Sequence, residues 1–300
     1  MRLRSVSGTW QILAAACCVA CSVVLIAGCT TSGRASSLAS SVVRPTGSSD
    51  TGGAHVGVLQ MNLCDSGIAE CYTGGRSVIM AAALIHALRP DVVTLNEVCR
   101  EDVSVLERAM SATHRRATVA SAFKPAADRR TDGPYRCVNG QQFGDGVLAL
   151  VPSGTPGYRT YGGIYPIQDV TDSEERVWMC IDLATQFAAC TTHTASTSTA
   201  IALAQCRYFL NSVVPRIRRQ NGDAPVILGA DLNLPANHSP GPQACLPHGY
   251  QRADDGARQD AVTSPAVVVR SRTLIDMRGT TDHPGLLVDT VLPRRSRDRR

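Results

Sequence analysis

Apolar and polar positions along this chain recur with two periods, two residues in some segments and close to four in others. His55 to Met61 alternates, with Val56, Val58 and Gln60 on one side, which predicts a short strand. Arg76 to Leu88 carries Val78, Ala82, Ile85 and Leu88 at helical spacing, and Arg89-Pro90 ends that helix. Asp91 to Leu95 reads as a buried strand and Glu101 to Met110 as a second amphipathic helix. Arg115 to Gln142 is polar and contains Gly and Pro, so an extended connection is expected there. Strands are expected at Gly146 to Val151, Val177 to Leu183, Phe187 to Thr192 and Val226 to Leu228. Ala200 to Arg219 gives the longest helix, with Pro215 near its end. The last apolar runs are Ala261 to Val262, Ala266 to Val269 and Leu286 to Leu292. Interleaved strands and helices without an internal repeat predict one α/β or α+β domain over residues 54–293.

The N-terminus changes that picture. Arg2 and Arg4 precede an uncharged apolar run from Ile12 to Ala27, the layout of a secretory signal over residues 1–28. The run is shorter than the roughly 20 residues needed to span a bilayer. Its end, Leu25-Ile26-Ala27-Gly28-Cys29, resembles the lipobox of bacterial lipoproteins. That resemblance implies cleavage before Cys29, acylation of its thiol, and an exported protein anchored to the outer face of a membrane. Residues 29–53 are rich in Ser, Thr and Gly, the composition of a flexible tether.

Twelve cysteines agree with an oxidising compartment. Cys17, Cys18, Cys21 and Cys29 belong to the leader, which leaves Cys64, Cys71, Cys99, Cys137, Cys180, Cys190, Cys206 and Cys245. Cys64 and Cys71 flank a short polar turn, and Cys180 and Cys190 sit in two runs that read as a hairpin. Those two pairs are expected first, then Cys99 with Cys137 and Cys206 with Cys245. No C-x-x-C pair occurs in the body, which argues against a zinc site.

Of the 30 basic residues only Lys124 is a lysine, and the formal net charge is +5. The positive excess lies in the leader and in an Arg-rich tail, 294–300, so the folded body is near neutral. A strongly basic nucleic-acid-binding domain is thereby excluded. A monomer is expected.

Candidate chemistry comes from polar residues that terminate apolar runs. These are Gln60-Met61-Asn62, Leu95-Asn96-Glu97, Thr191-Thr192-His193, Gly229-Ala230-Asp231-Leu232-Asn233 and Thr281-Asp282-His283. Strands stacked in a sheet bring their ends to one rim, where polar groups can converge on a ligand. In this order and spacing the set resembles the endonuclease/exonuclease/phosphatase superfamily, the fold of deoxyribonuclease I. Ala230 between Gly229 and Asp231, and Thr281 in place of Ser, are mild departures from its motifs. The resemblance implies a four-layer sandwich of two mixed β-sheets flanked by helices, with the site at one end. It also implies metal-dependent hydrolysis of a phosphate ester with Mg²⁺ or Mn²⁺.

By the same resemblance Glu97, with Asn62 beside it and Asp282 joining, is expected to hold the metal. Asp231 and Asn233 would orient water and phosphate, and His193 and His283 would contact the phosphate. A carboxylate should hold the tautomer of His283, and Asp260 is preferred over Asp276 for that role. Glu174 or Glu175 would support His193. Arg100 and Arg136 are lesser candidates for reaching phosphate, and His238 and His248 are expected to be structural or exposed. The substrate is left open among nucleic acid, phospholipid or sphingomyelin, and a small phosphate ester. A different class, a surface lipoprotein that keeps the fold and binds without turnover, is the competing expectation.

Overall fold

The computed structural model describes residues 53–184 and 186–293. The signal segment, Cys29, the tether up to residue 52 and the tail 294–300 lie outside the described residues.

In chain order the first half runs β1 (His55–Asn62), α1 (Arg76–Leu88), β2 (Val92–Cys99), α2 (Arg100–Thr113), β3 (Thr118–Pro125), β4 (Ala127–Asp128), β5 (Gly133–Pro134) and β6 (Phe143–Val151). Then follow β7 (Arg159–Ile164), β8 (Glu174–Glu175), β9 (Val177–Asp182), β10 (Ala188–His193), α3 (Thr199–Tyr208), a π turn (Phe209–Val213), α4 (Val214–Gln220) and β11 (Val226–Asp231). The chain closes with β12 (Gln251–Asp254), β13 (Gln259–Thr263), β14 (Val268–Ile275) and β15 (Gly285–Val291).

Two six-stranded sheets are ordered β14-β15-β1-β2-β6-β3 and β12-β13-β11-β10-β9-β7, and β5-β4-β8 form a small third sheet. Each large sheet has one parallel pair at its centre, β1 with β2 and β10 with β11, and is otherwise antiparallel. A parallel pair needs a crossover. Helix α1 supplies it in the first sheet, and α3, the π turn and α4 supply it in the second.

Three apolar layers hold the sandwich. Leu59, Met61, Val93 and Leu95 face Val78, Ala81 and Ile85 of α1 and Val103, Leu106 and Met110 of α2. Between the sheets, Val56, Val58, Val92 and Val147 meet Ile181, Ala189 and Ile227. On the far side, Phe209, Leu210, Val213 and Ile217 cover Leu228, Ala230 and Val262. A buried side chain of this size contributes about 1.5–3 kcal/mol. Helix-sheet-sheet-helix is the architecture the sequence leads one to expect.

The helix expected at Ala200 to Arg219 is interrupted by the π turn just ahead of Pro215. Proline has no N–H to donate and its ring crowds the carbonyl four residues back, so the wider turn accommodates it. The connection expected over Arg115 to Gln142 instead contains β3, a full strand. All eight body cysteines are joined, as Cys64–Cys71, Cys99–Cys137, Cys180–Cys190 and Cys206–Cys245, the pairs expected.

Candidate active site

Strand alternation explains where the polar residues go. The inward positions of β1 are Val56, Val58, Gln60 and Asn62, and those of β10 are Ala189, Thr191 and His193. On β11 they are Ile227, Gly229 and Asp231. The layer between the sheets is therefore apolar at one end and polar at the other.

The polar end is a continuous hydrogen-bonded network. Gln60 Nε2 donates to Asn96 Oδ1 at 2.7 Å and to Gln259 Oε1 at 3.2 Å, and Thr94 Oγ1 donates to Gln60 Oε1 at 2.6 Å. Asn96 Nδ2 donates to Asp145 Oδ1 at 2.8 Å and to Thr191 Oγ1 at 3.2 Å. Asn96 Oδ1 also accepts the Asp231 backbone N–H at 3.0 Å. Gly229 is required here because a Cβ would run into Thr94 Oγ1. Ala230 is not in the way: it points to the opposite face and packs under the helices.

On top of this network sit Asn62, Glu97 and Asp231. Asn62 Nδ2 donates to Glu97 Oε1 at 2.8 Å and to Asp231 Oδ2 at 3.1 Å, while its Oδ1 accepts the Cys64 N–H at 3.1 Å. Glu97 is aimed by a β-bulge between Leu95 and Val98 and has a positive φ of 55°. A non-glycine residue in that region is strained, and such strain collects at functional sites. Burial raises the pKa of both Glu97 and Asp231 above the ordinary carboxylate value. The two imidazoles flank them. His193 Nε2 lies 3.9 Å from Glu97 Oε1, and His283 Nε2 lies 3.5 Å from Asp231 Oδ2. Thr281 Oγ1 donates to the Asn62 carbonyl at 3.1 Å and ties the last loop to the end of β1. Asn233, at φ 47°, donates through Nδ2 to the Thr194 carbonyl at 2.9 Å and accepts from Arg258 Nη1 at 3.0 Å.

A divalent cation fits this donor set through Glu97. Glu97 and Asp231 share one amide, and burial raises the pKa of each, a cost to their charged forms that a bound cation would offset. Two expected ligands stand differently. Asn62 turns its Nδ2, not its oxygen, toward the carboxylates, so it steadies them as a donor. Asp282 is 57% exposed and lies against the Cys64–Cys71 disulfide. Among the described residues, both clusters of three ligating groups include disulfide sulfur, and neither contains Glu97.

Asp260 is not at the site. It is opposite Ala230 in the register, so its side chain leaves the sheet on the helix side and pairs with Arg252. Its neighbour Gln259, opposite Asp231, faces inward instead. Gln259 Oε1 accepts the Asn62 N–H at 3.0 Å, and its Nε2 donates to the Pro284 carbonyl next to His283. Asp276 is exposed and accepts the Arg278 N–H at 2.7 Å, so it does not hold His283 either. No carboxylate of β13 stands behind His283; the carboxylates near its ring are Asp231 and, at 3.7 Å, Asp282.

Glu174 reaches His193 only through a residue that sequence reasoning missed. Arg176 Nη1 lies 2.9 Å from His193 Nδ1 and 3.2 Å from Glu174 Oε1. Burial pushes Glu174 up to about 7 in spite of that arginine. Glu175 instead pairs with Arg129 at 3.4 Å. Asp145 was also missed, and burial pushes it up to about 8. Its signal is an acid between Gly144 and Gly146 at the start of an apolar strand. Arg100 is engaged by Gln142 and Arg136 by the Gly140 carbonyl, while His238 and His248 are exposed.

Comparison with known proteins agrees with this architecture. A structure described as endonuclease/exonuclease/phosphatase from Beutenbergia cavernae DSM 12333 superposes with a TM-score of 0.58 at 18% identity, covering 80% of this chain and 72% of that one. An endonuclease/exonuclease/phosphatase family protein from Bacteroides thetaiotaomicron gives 0.55 at 12% identity, covering 82% and 98%. TDP2 from Caenorhabditis elegans gives 0.52 at 16% identity, covering 79% and 75%. At these identities the likeness shows the fold, the deoxyribonuclease I-like sandwich. A search of curated protein sequences finds no match. The model of the Endonuclease/Exonuclease/phosphatase family matches residues 79–296, most of the chain. With the paired sheets and the polar rim that joins them, this places the chain in the endonuclease/exonuclease/phosphatase family.

Proposed function

We propose that the chain is a hydrolase of phosphodiesters that uses Mg²⁺ or Mn²⁺, exported and held at the outer face of a membrane through a lipid on Cys29. The family supports phosphoester hydrolysis in general, and its enzymes generally use divalent metal ions. The observation that carries the reading is the convergence of Asn62, Glu97, Asp231, His193 and His283 on one rim.

Glu97 would hold the cation, with Asp282 free to approach from its exposed loop. The cation, when bound, supplies charge neutralisation at the phosphoryl oxygens. Asp231 is fixed through its backbone by Asn96 and through its carboxylate by Asn62 and the Asn233 N–H, at 3.0 Å for the last. A carboxylate so held can align a water and take its proton. His193 and His283 present ring nitrogens from either side, positioned to contact the phosphate. Asn233 shapes the floor beside them by bridging Thr194 and Arg258.

A specific observation favours a phospholipid as the diester. Ile68 and Val138, 56% and 66% exposed, lie on segments joined by the Val138 N–H to Ser66 carbonyl bond, just beyond Asn62. Ile164, Ile167 and Val170 are also exposed, on the segment that leads to Arg176. Exposed apolar side chains on segments connected to the rim suit a lipid surface better than the backbone of a nucleic acid.

The test is a panel of DNA, RNA, sphingomyelin, glycerophospholipid and phosphomonoesters, assayed with each metal and with excess chelator. Metal-dependent cleavage of a diester supports the reading. Hydrolysis that survives the chelator refutes the metal, and inactivity on every substrate favours the binding lipoprotein.

A further inference from the structure

Two histidines face the rim, and their surroundings differ. The Nδ1 atom of His193 does not meet a carboxylate or a carbonyl. It meets Arg176 Nη1 at 2.9 Å, and the side chains of both residues are almost wholly buried, at 6% and 5% exposure. A guanidinium has five N–H donors, no acceptor, and does not deprotonate in proteins. Nδ1 must therefore present its lone pair, and the single ring proton must sit on Nε2.

Arg176 is itself fixed from several sides. Its Nη2 donates to Asp172 Oδ2 at 3.0 Å and to Ser196 Oγ at 3.2 Å, and Glu174 lies 3.2 Å from Nη1. Its backbone N–H donates to Gln168 Oε1 at 2.8 Å, and its carbonyl accepts from Gln168 Nε2 at 2.8 Å. The two acids balance the guanidinium charge, so the arginine can be buried with its donors aimed at the ring.

We propose that Arg176 is a positioning residue that locks His193 as the neutral Nε2–H tautomer, making it a fixed hydrogen-bond donor to a phosphoryl oxygen. The tautomer follows from the hydrogen-bond geometry alone; the role toward phosphate rests on the phosphohydrolase reading above. A base needs a free lone pair, and the one on His193 is taken by Arg176. An acid at neutral pH needs an imidazolium, which the facing guanidinium opposes. The groups around the ring are Arg176, Asp172 and Glu174 from the segment before β9, Glu97 from β2, His283 from the last loop and Arg258 from the turn before β13. His283 is then the histidine left for proton transfer.

The test reads the tautomer directly. The full chain, labelled with ¹⁵N in its imidazole rings, gives long-range proton–nitrogen correlations at neutral pH, and His193→Gln identifies the His193 signals. The expected pattern is one bare Nδ1 and one protonated Nε2. An Nδ1–H pattern, or that of an imidazolium, would overturn the proposal. In Arg176→Gln, whose amide can accept as well as donate, the Nδ1–H form should become populated; a pure Nε2–H pattern there would remove Arg176 from the role. Should that variant fail to fold, the wild-type spectrum decides alone. The role toward phosphate has its own arm, turnover of bis(4-nitrophenyl) phosphate with Mn²⁺. His193→Gln keeps a donor and should exceed His193→Ala by roughly 10-fold, the worth of one hydrogen bond to a charged group. Equal rates would overturn that role and leave the tautomer standing. Inactivity of the wild type with a correct spectrum would count against the phosphohydrolase reading alone.

Discussion

Asn96 joins the two sheets beneath the site, and Asn96→Ala isolates what that junction contributes. Its amide makes four hydrogen bonds: from Gln60 Nε2 at 2.7 Å, from the Asp231 N–H at 3.0 Å, to Asp145 at 2.8 Å and to Thr191 at 3.2 Å. The residue is fully buried, at 0% exposure. At about 0.5–1.5 kcal/mol for each bond, the loss should be about 2–6 kcal/mol. A domain whose whole stability is about 5–15 kcal/mol would feel that strongly. Urea unfolding with the disulfides intact measures it. Asn211→Ala is the control, an exposed amide that makes one bond to the Arg207 carbonyl at 2.9 Å, and it should change stability by no more than about 0.5 kcal/mol. A cost for Asn96→Ala below about 1 kcal/mol, close to the control, would refute the reasoning that this network couples the sheets.

Three further outcomes are expected. Asp145 is raised from 3.8 to about 8 by burial, so the folded state binds a proton that the unfolded chain has released, and this contribution to stability falls as pH rises from 3.8 to about 8. Asp145→Asn should flatten that decline; urea midpoints with the wild-type slope would contradict it. Asp260→Ala removes one of the two carboxylates that hold Arg252, Asp254 at 3.1 Å being the other, and should cost about 1.5–3 kcal/mol while turnover per folded molecule persists. Asp276→Asn should change neither; a turnover collapse in folded Asp260→Ala would return that carboxylate to the chemistry. Replacing both Cys206 and Cys245 by Ala opens a link between residues 39 apart and should lower stability by about 2–4 kcal/mol, read as a fall in melting temperature. An unchanged melting temperature would contradict it.

What the sequence disclosed depended on where each strand sits in its sheet. Strands β1, β2, β10 and β11 lie in sheet interiors and read clearly, because both of their faces are packed. Strands β3, β7 and β12 were missed and only the start of β14 was seen; these four are the edges of the two sheets. An edge strand is half solvated, so its sequence loses the alternation that marks a strand. The site residues were legible as polar endings of apolar runs. The facing of β13 was not, since a one-residue shift of frame exchanges Asp260 for Gln259. Arg176 was hidden because a charge before a strand reads as a solvated turn, and only the fold shows that it is buried against His193.

The strand order also sets when the molecule can become whole during its synthesis. Strand β1 is made first, yet on one side it pairs with β15, from His55 against Val291 to Gln60 against Leu286. Until β15 has emerged, the centre of the first sheet keeps an open edge with Val56, Val58 and Leu59 along it. Such an edge invites pairing with other chains, and a contact spanning nearly the whole domain closes slowly. A nascent chain of this design must be shielded until β15 is available, and a truncation that removes β15 would leave that edge open for good.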